Sequence, residues 1–148
     1  MSRIYNKRGE RMRGEKPILL IEDDKVDAMT VKRALKDVNI KNSLAVVRNG
    51  EEALEYLGSE DKEKPCIIFL DLNMPRMNGI EFLRAARDAG VIQGIPVIVL
   101  TTSKEQNDRL ESFNLCAAGY MIKPVDYQKF LEIIKTIDSY WTVSELPY

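Results

Sequence analysis

The chain holds 148 residues, the size of one globular domain, and 45% of them are hydrophobic, enough to bury a core. It has no histidine, which excludes His-ligated zinc, Ser-His-Asp and Cys-His nucleophile systems, and any phosphohistidine of its own. The net charge is −1, and with neither a long apolar span nor a secretory leader the sequence reads as that of a cytoplasmic protein without a membrane segment.

Residues 1–16 carry Arg3, Lys7, Arg8, Arg11, Arg13 and Lys16 against Glu10 and Glu15, which leaves four positive charges here and five negative ones on the rest. With Gly9, Gly14 and only Ile4, Tyr5 and Met12 as sizeable apolar side chains, this segment cannot bury enough surface to offset the entropy of ordering. It is expected to be a flexible basic arm. From Pro17 onward, short apolar runs recur at 18–21, 44–47, 66–70, 95–100 and 119–122. Their unbroken Val/Ile/Leu-rich character predicts strands covered on both faces, as in a parallel sheet flanked by helices. Between and after them, apolar residues fall at helical spacing: Val31, Ala34, Leu35 and Val38, then Ala53, Leu54 and Leu57, then Phe82, Leu83 and Ala86. Leu110, Phe113 and Ala117 follow, and the series closes with Phe130, Ile133, Ile134, Ile137 and Trp141. Each set is expected to lay one apolar stripe on the sheet.

Asn49 before Glu52, Asn78 before Glu81 and Ser103 before Gln106 mark helix starts, the serine pair alone having the strict capping-box form. Asp24 is expected to cap the first helix. A βα unit repeated five times predicts an α/β fold with a five-stranded parallel sheet, doubly wound and flavodoxin-like, in strand order 2-1-3-4-5. Residues 17–140 form this domain, and 141–148 an aromatic tail that docks on its own domain, pairs two copies, or frays. Cys66 and Cys116 stand far apart without CxxC spacing and read as small hydrophobes.

In an open α/β sheet, ligands bind beyond the carboxyl ends of the strands, where the winding reverses. The first strand ends in Glu22, Asp23 and Asp24, the third in Asp71, the fourth in Thr101 and Thr102, and the fifth in Lys123. The expected order makes the first and third strands neighbours, so Glu22, Asp23 and Asp71 converge. Carboxylates this close cannot all stay ionised without a cation. Hard oxygen donors without His or Cys select Mg²⁺, with Mn²⁺ as the alternative. A carboxylate beside such a cation, with a lysine and a hydroxyl nearby, can accept a phosphoryl group as an acyl phosphate. Taken singly these residues have plainer readings: Asp24 a cap, Asp71 a turn former, Lys123 a surface lysine, Thr101 a strand-end filler. Their joint placement at the strand ends favours the chemistry. A flavin or nucleotide binder on this architecture needs a glycine-rich turn after the first strand, where Glu22-Asp23-Asp24 would repel phosphate. A phosphohydrolase of the haloacid dehalogenase type needs an acid two residues after its nucleophile, where this chain has Asn73.

Ile21-Glu22-Asp23-Asp24, Leu70-Asp71-Leu72-Asn73-Met74-Pro75 with Asn78-Gly79, Leu100-Thr101-Thr102-Ser103 and Tyr120-Met121-Ile122-Lys123-Pro124 together resemble the receiver domain of two-component response regulators. The resemblance implies that a histidine kinase transfers a phosphoryl group to Asp71 with Mg²⁺ bound. It implies Asp23 and Asp71 as carboxylate ligands, Asn73 as a ligand through its backbone carbonyl, and Glu22 acting through a metal-bound water. Lys123 would contact a phosphoryl oxygen. Thr101 and Tyr120 would form the switch, the hydroxyl moving toward the phosphoryl group and the ring turning inward behind it. The bond between Lys123 and Pro124 becomes a candidate cis peptide.

Glu22 stands where an aspartate is commoner, and Asn78 where an aspartate often precedes the glycine; neither touches the acceptor. Asn73 and Thr102 are expected to tune autodephosphorylation. One helix follows Pro124, so the chain is expected to be a stand-alone receiver without a DNA-binding or enzymatic output domain, catalysing only its own phosphorylation and dephosphorylation. The Val26-Asp27-Ala28 helix start, the Thr101-Thr102-Ser103-Lys104 turn and the Tyr140-Trp141 end are similar to small regulators that partner phytochrome-type histidine kinases. The alternative is a receiver-like interaction module that works without phosphorylation.

Overall fold

The computed structural model describes residues 16–123 and 126–143. The basic arm up to residue 15, the geometry of the Lys123 to Pro124 bond, the Trp141 side chain and residues 144–148 of the tail lie outside the described residues. Strands β1 (Ile18–Ile21), β2 (Leu44–Val47), β3 (Ile67–Leu70), β4 (Val97–Thr101) and β5 (Gly119–Ile122) alternate with helices α1 (Lys25–Asp37), α2 (Gly50–Gly58), α3 (Gly79–Ala89), α4 (Gln106–Asn114) and α5 (Tyr127–Val143). All strand pairs are parallel, and the order is β2-β1-β3-β4-β5, as the pattern of apolar runs predicts.

β1, β3 and β4 are buried along their whole lengths, which is why they read as continuous apolar runs. Alternate residues feed two cores. Leu19, Ile21, Ile68 and Leu70 pack with Ala53 and Leu57 of α2 and with Phe82, Leu83 and Ala86 of α3. Ile18, Leu20 and Phe69 pack with Val31, Ala34 and Leu35 of α1 and with Phe130 and Ile134 of α5. β4 starts at Val97, later than its apolar run, because Pro96 has no amide to donate and the Ile95 N–H is already spent on the Ile92 carbonyl at 3.0 Å.

Helix starts follow local chemistry, with one exception. Asp24 caps α1, accepting from the N–H groups of Val26 (2.8 Å) and Asp27 (3.0 Å). Asn78 and Glu81 form a complete reciprocal capping box on α3, both bonds at 2.9 Å, although the serine pair looked closer to that form. Ser103 does not cap α4. Its amide is drawn back to Thr101 Oγ1 (3.3 Å) and its hydroxyl donates to Asp108 (2.5 Å), so Glu105 takes the cap position without a side-chain bond.

α4 also departs from the expected apolar stripe. Leu110 and Phe113 are 52% and 46% exposed, and Ser112 is the residue the helix buries. The helix ends at Asn114 and the chain turns through Cys116 in a left-handed conformation (φ 73°), so that Leu115 and Ala117, beyond the helix, supply the apolar surface to the core.

Candidate functional site

The register that pairs Ile21 with Leu70 sets Glu22 and Asp71 side by side just past the ends of β1 and β3. The Asp71 N–H donates to the Ile21 carbonyl at 3.0 Å and the Glu22 N–H to the Val47 carbonyl at 2.9 Å, fixing both backbones. Glu22, Asp23 and Asp71 each offer a carboxylate oxygen within 4.8 Å of the others. Glu22 and Asp71 are buried, at 3% and 6% exposure, and Asp23 faces solvent. Asp71 Oδ1 accepts one hydrogen bond from the Asn73 N–H (3.2 Å). Beneath this loop the start of α3 presses close, because a Cβ on Gly79 would lie 2.7 Å from the Asp71 carbonyl oxygen and from Leu72 Cα.

β5 brings the counter-charge. The Lys123 N–H continues the β4–β5 ladder by donating to the Thr101 carbonyl (2.7 Å), which aims the side chain into the acidic site. Its ammonium donates to Glu22 Oε1 at 2.6 Å and Asp27 Oδ2 at 2.8 Å, and stands 3.9 Å from Asp71 Oδ2. Burial pushes the Glu22 carboxyl up to about 7, beyond what the Lys123 hydrogen bond can hold down, and the neighbouring Asp71 charge adds to the rise. Burial opposes the Lys123 charge, but hydrogen bonds to Asp27 and Glu22 outweigh it and raise its pKa, so the side chain is an ammonium at neutral pH.

Thr101 is fully buried at the end of β4. Its Oγ1 accepts from Asn73 Nδ2 and from the Ser103 N–H, both at 3.3 Å, while Asn73 Nδ2 also donates to Thr102 Oγ1 at 2.9 Å. Tyr120, one strand over, donates its hydroxyl to the Ser103 carbonyl at 3.1 Å, with its ring beside Phe113 at a centroid distance of 6.5 Å. Both expected switch residues therefore grip the same loop before any phosphoryl group arrives.

The structure thus brings Glu22, Asp23, Asp71, Asn73, Thr101 and Lys123 to one edge of the sheet, with Tyr120 flanking them. The residue that strand-end reasoning missed is Asp27. Its place four residues after Asp23, in the first turn of a helix starting at the same edge, was the available signal. The donor set is all carboxylate oxygen gathered within 4.8 Å, which suits a hard divalent cation. A nucleophilic carboxylate with one oxygen engaged by a backbone amide and an ammonium nearby can take up a phosphoryl group. Among the described residues no helix is long and apolar enough to cross a membrane.

Comparison with known proteins agrees with this chemistry. The family model of the response regulator receiver domain matches residues 18–135. Response regulator Rcp1 of Synechocystis sp. is 34% identical over 130 residues, covering 85% of this chain and 88% of Rcp1. The solved structure of the phosphorylated cyanobacterial phytochrome response regulator RcpA matches with a TM-score of 0.78 at 32% identity, covering 90% of this chain and 99% of that one. The Mn²⁺-bound form of response regulator Rcp1 gives a TM-score of 0.77 at 33% identity with the same coverage.

Proposed function

This chain belongs to the response regulator receiver domain family, and from that premise we propose that it accepts a phosphoryl group from a histidine kinase on Asp71 and answers by changing a protein-interaction surface. The observation that carries the reading is the convergence of Glu22, Asp23 and Asp71 around one point, with the Lys123 ammonium beside them.

An Asp71 carboxylate oxygen attacks phosphorus, the P–N bond to the kinase histidine breaks, and the imidazole leaves with the bonding pair and takes a proton from water. Asp23 and Asp71 would hold Mg²⁺ through carboxylates, Asn73 would hold it through its backbone carbonyl and Glu22 would act through a water; Mn²⁺ is the alternative ion. The cation, when bound, offsets charge on the phosphoryl oxygens. Lys123 donates to one of those oxygens. Thr101 has a hydroxyl proton to offer, since the bonds it makes in the free protein use its oxygen as acceptor. As Thr101 shifts, it draws on the Ser103 backbone, and Ser103 is where Tyr120 is tethered. The change therefore reaches the surface of α4, β5 and α5, where Leu110 and Phe113 stand exposed for a partner or a second copy.

The donor we propose is a phytochrome-type histidine kinase, met in the cytoplasm, because a matched solved structure is described as a phytochrome response regulator. Incubation with Mg²⁺ and phosphoramidate, followed by intact-mass measurement, tests the acceptor. Wild type should gain the mass of one phosphoryl group and Asp71→Asn none. A gain that survives in the variant puts the acceptor elsewhere, and no gain in either favours a module that works unphosphorylated.

A further inference from the structure

The Lys123 ammonium sits unevenly among three carboxylates: 2.6 Å from Glu22, 2.8 Å from Asp27 and 3.9 Å from Asp71. An ammonium has three protons to place, and in the free protein two are engaged away from the acceptor. The third is free, but at 3.9 Å the ammonium falls short of Asp71 Oδ2, and leaning toward that oxygen pulls against the two bonds already made. The two holders differ in what release costs. Glu22 has 2% of its side chain exposed, so parting from Lys123 would leave its Oε1 buried without that donor and without water to replace it. Asp27 has 40% exposed, and water can replace the ammonium there.

Asp27 is also firmly placed. Its N–H is bound by the Asp24 cap, and α1 is tied to α5 by the Arg33 guanidinium over the Tyr127 ring (4.4 Å) and by the Tyr127 hydroxyl donating to Asp37 (2.5 Å). A cavity of about 310 Å³ between α1 and α5, bordered by Asp27, Thr30, Val31, Lys123, Tyr127 and Phe130, opens beside the Asp27 to Lys123 contact, so water can reach the carboxylate when the ammonium leaves it.

We infer that Asp27 is a positioning residue that holds the Lys123 ammonium back from Asp71 in the unphosphorylated protein and so slows phosphoryl uptake until the bond is exchanged for water. The inference rests on the receiver function proposed above. Asp27→Ala keeps the backbone N–H that Asp24 caps and removes only the carboxylate.

In a crystal structure of Asp27→Ala, Lys123 Nζ should move within hydrogen-bond distance of an Asp71 carboxylate oxygen. An ammonium left at its wild-type separation overturns the inference, whatever the protein's activity. With Mg²⁺ and phosphoramidate, Asp27→Ala should phosphorylate about fivefold faster, the ratio expected for releasing one net hydrogen bond, and Asp27→Glu should return the rate to that of wild type. The acceleration should vanish when Asp27→Ala is made in a Lys123→Ala background. A gain that persists there would mean that Asp27 merely repels the donor through space, which sinks the positioning role. Wild type that takes up no phosphoryl group would remove the receiver reading, while the position of Nζ in the variant still decides what Asp27 does.

Discussion

Glu22 is a buried carboxyl beside the Asp71 carboxylate, with Lys123 supplying a hydrogen bond and a compensating charge. Its folded pKa lies near 7 against an ordinary 4.5, so between these values the native protein holds a proton that the unfolded chain releases. The stability linked to this group is therefore complete below about pH 4.5 and is lost as pH rises through about 7. In metal-free buffer, the urea stability of wild type relative to Glu22→Gln should fall across that window, because the glutamine cannot ionise. Excess Mg²⁺ should flatten the fall, since a cation favours the ionised carboxylates. A wild-type curve parallel to that of Glu22→Gln in EDTA would show that Glu22 does not carry the linkage.

At the scale of elements, the contact between α3 and the acceptor loop is a close backbone joint. An alanine at Gly79 gains helix propensity of up to about 1 kcal/mol, but its Cβ falls 2.7 Å from the Asp71 carbonyl oxygen and Leu72 Cα, which are backbone and cannot step aside. Gly79→Ala should lose about 1–3 kcal/mol in urea unfolding and slow phosphorylation of Asp71. Gly58→Ala, in α2 with open space around the new methyl group, should be neutral or more stable by up to about 1 kcal/mol. Equal responses at the two positions would refute the close-contact argument. The sequence makes α1, α2 and α3 readable because their apolar residues face the sheet from within the helix, as Phe82, Leu83 and Ala86 do. α4 is not readable this way, because Leu115 and Ala117 serve the core from the turn after it and leave Leu110 and Phe113 outside. Ser103 has the right spacing for a cap, but Thr101 and Asp108 compete for it. The acceptor and its acidic neighbours announce themselves at strand ends, whereas Asp27 is hidden among ordinary first-turn carboxylates until Lys123 is seen against it.

At the scale of the molecule, one sheet separates two cores that share no side chains among the described residues, so cooperativity must pass through the strands. Phe82 of α3 is fully buried in one core and Phe130 of α5 is 3% exposed in the other. β1 and β3 contribute alternate residues to both, so losing either core exposes one face of the same hydrogen-bonded strands. Phe82→Ala and Phe130→Ala should each cost about 3–5 kcal/mol, a large share of the roughly 5–15 kcal/mol that holds a domain of this size. The denaturant slope should stay at the wild-type value, because both variants still unfold the same surface. Urea curves followed by far-UV circular dichroism and by intrinsic fluorescence should coincide for each variant, as they do when one transition melts everything. Separated curves in Phe130→Ala, with the α2–α3 layer surviving the loss of the α1–α5 layer, would mean that the sheet does not couple its faces. The path by which Thr101 and Tyr120 report on Asp71 would then have to run within one layer.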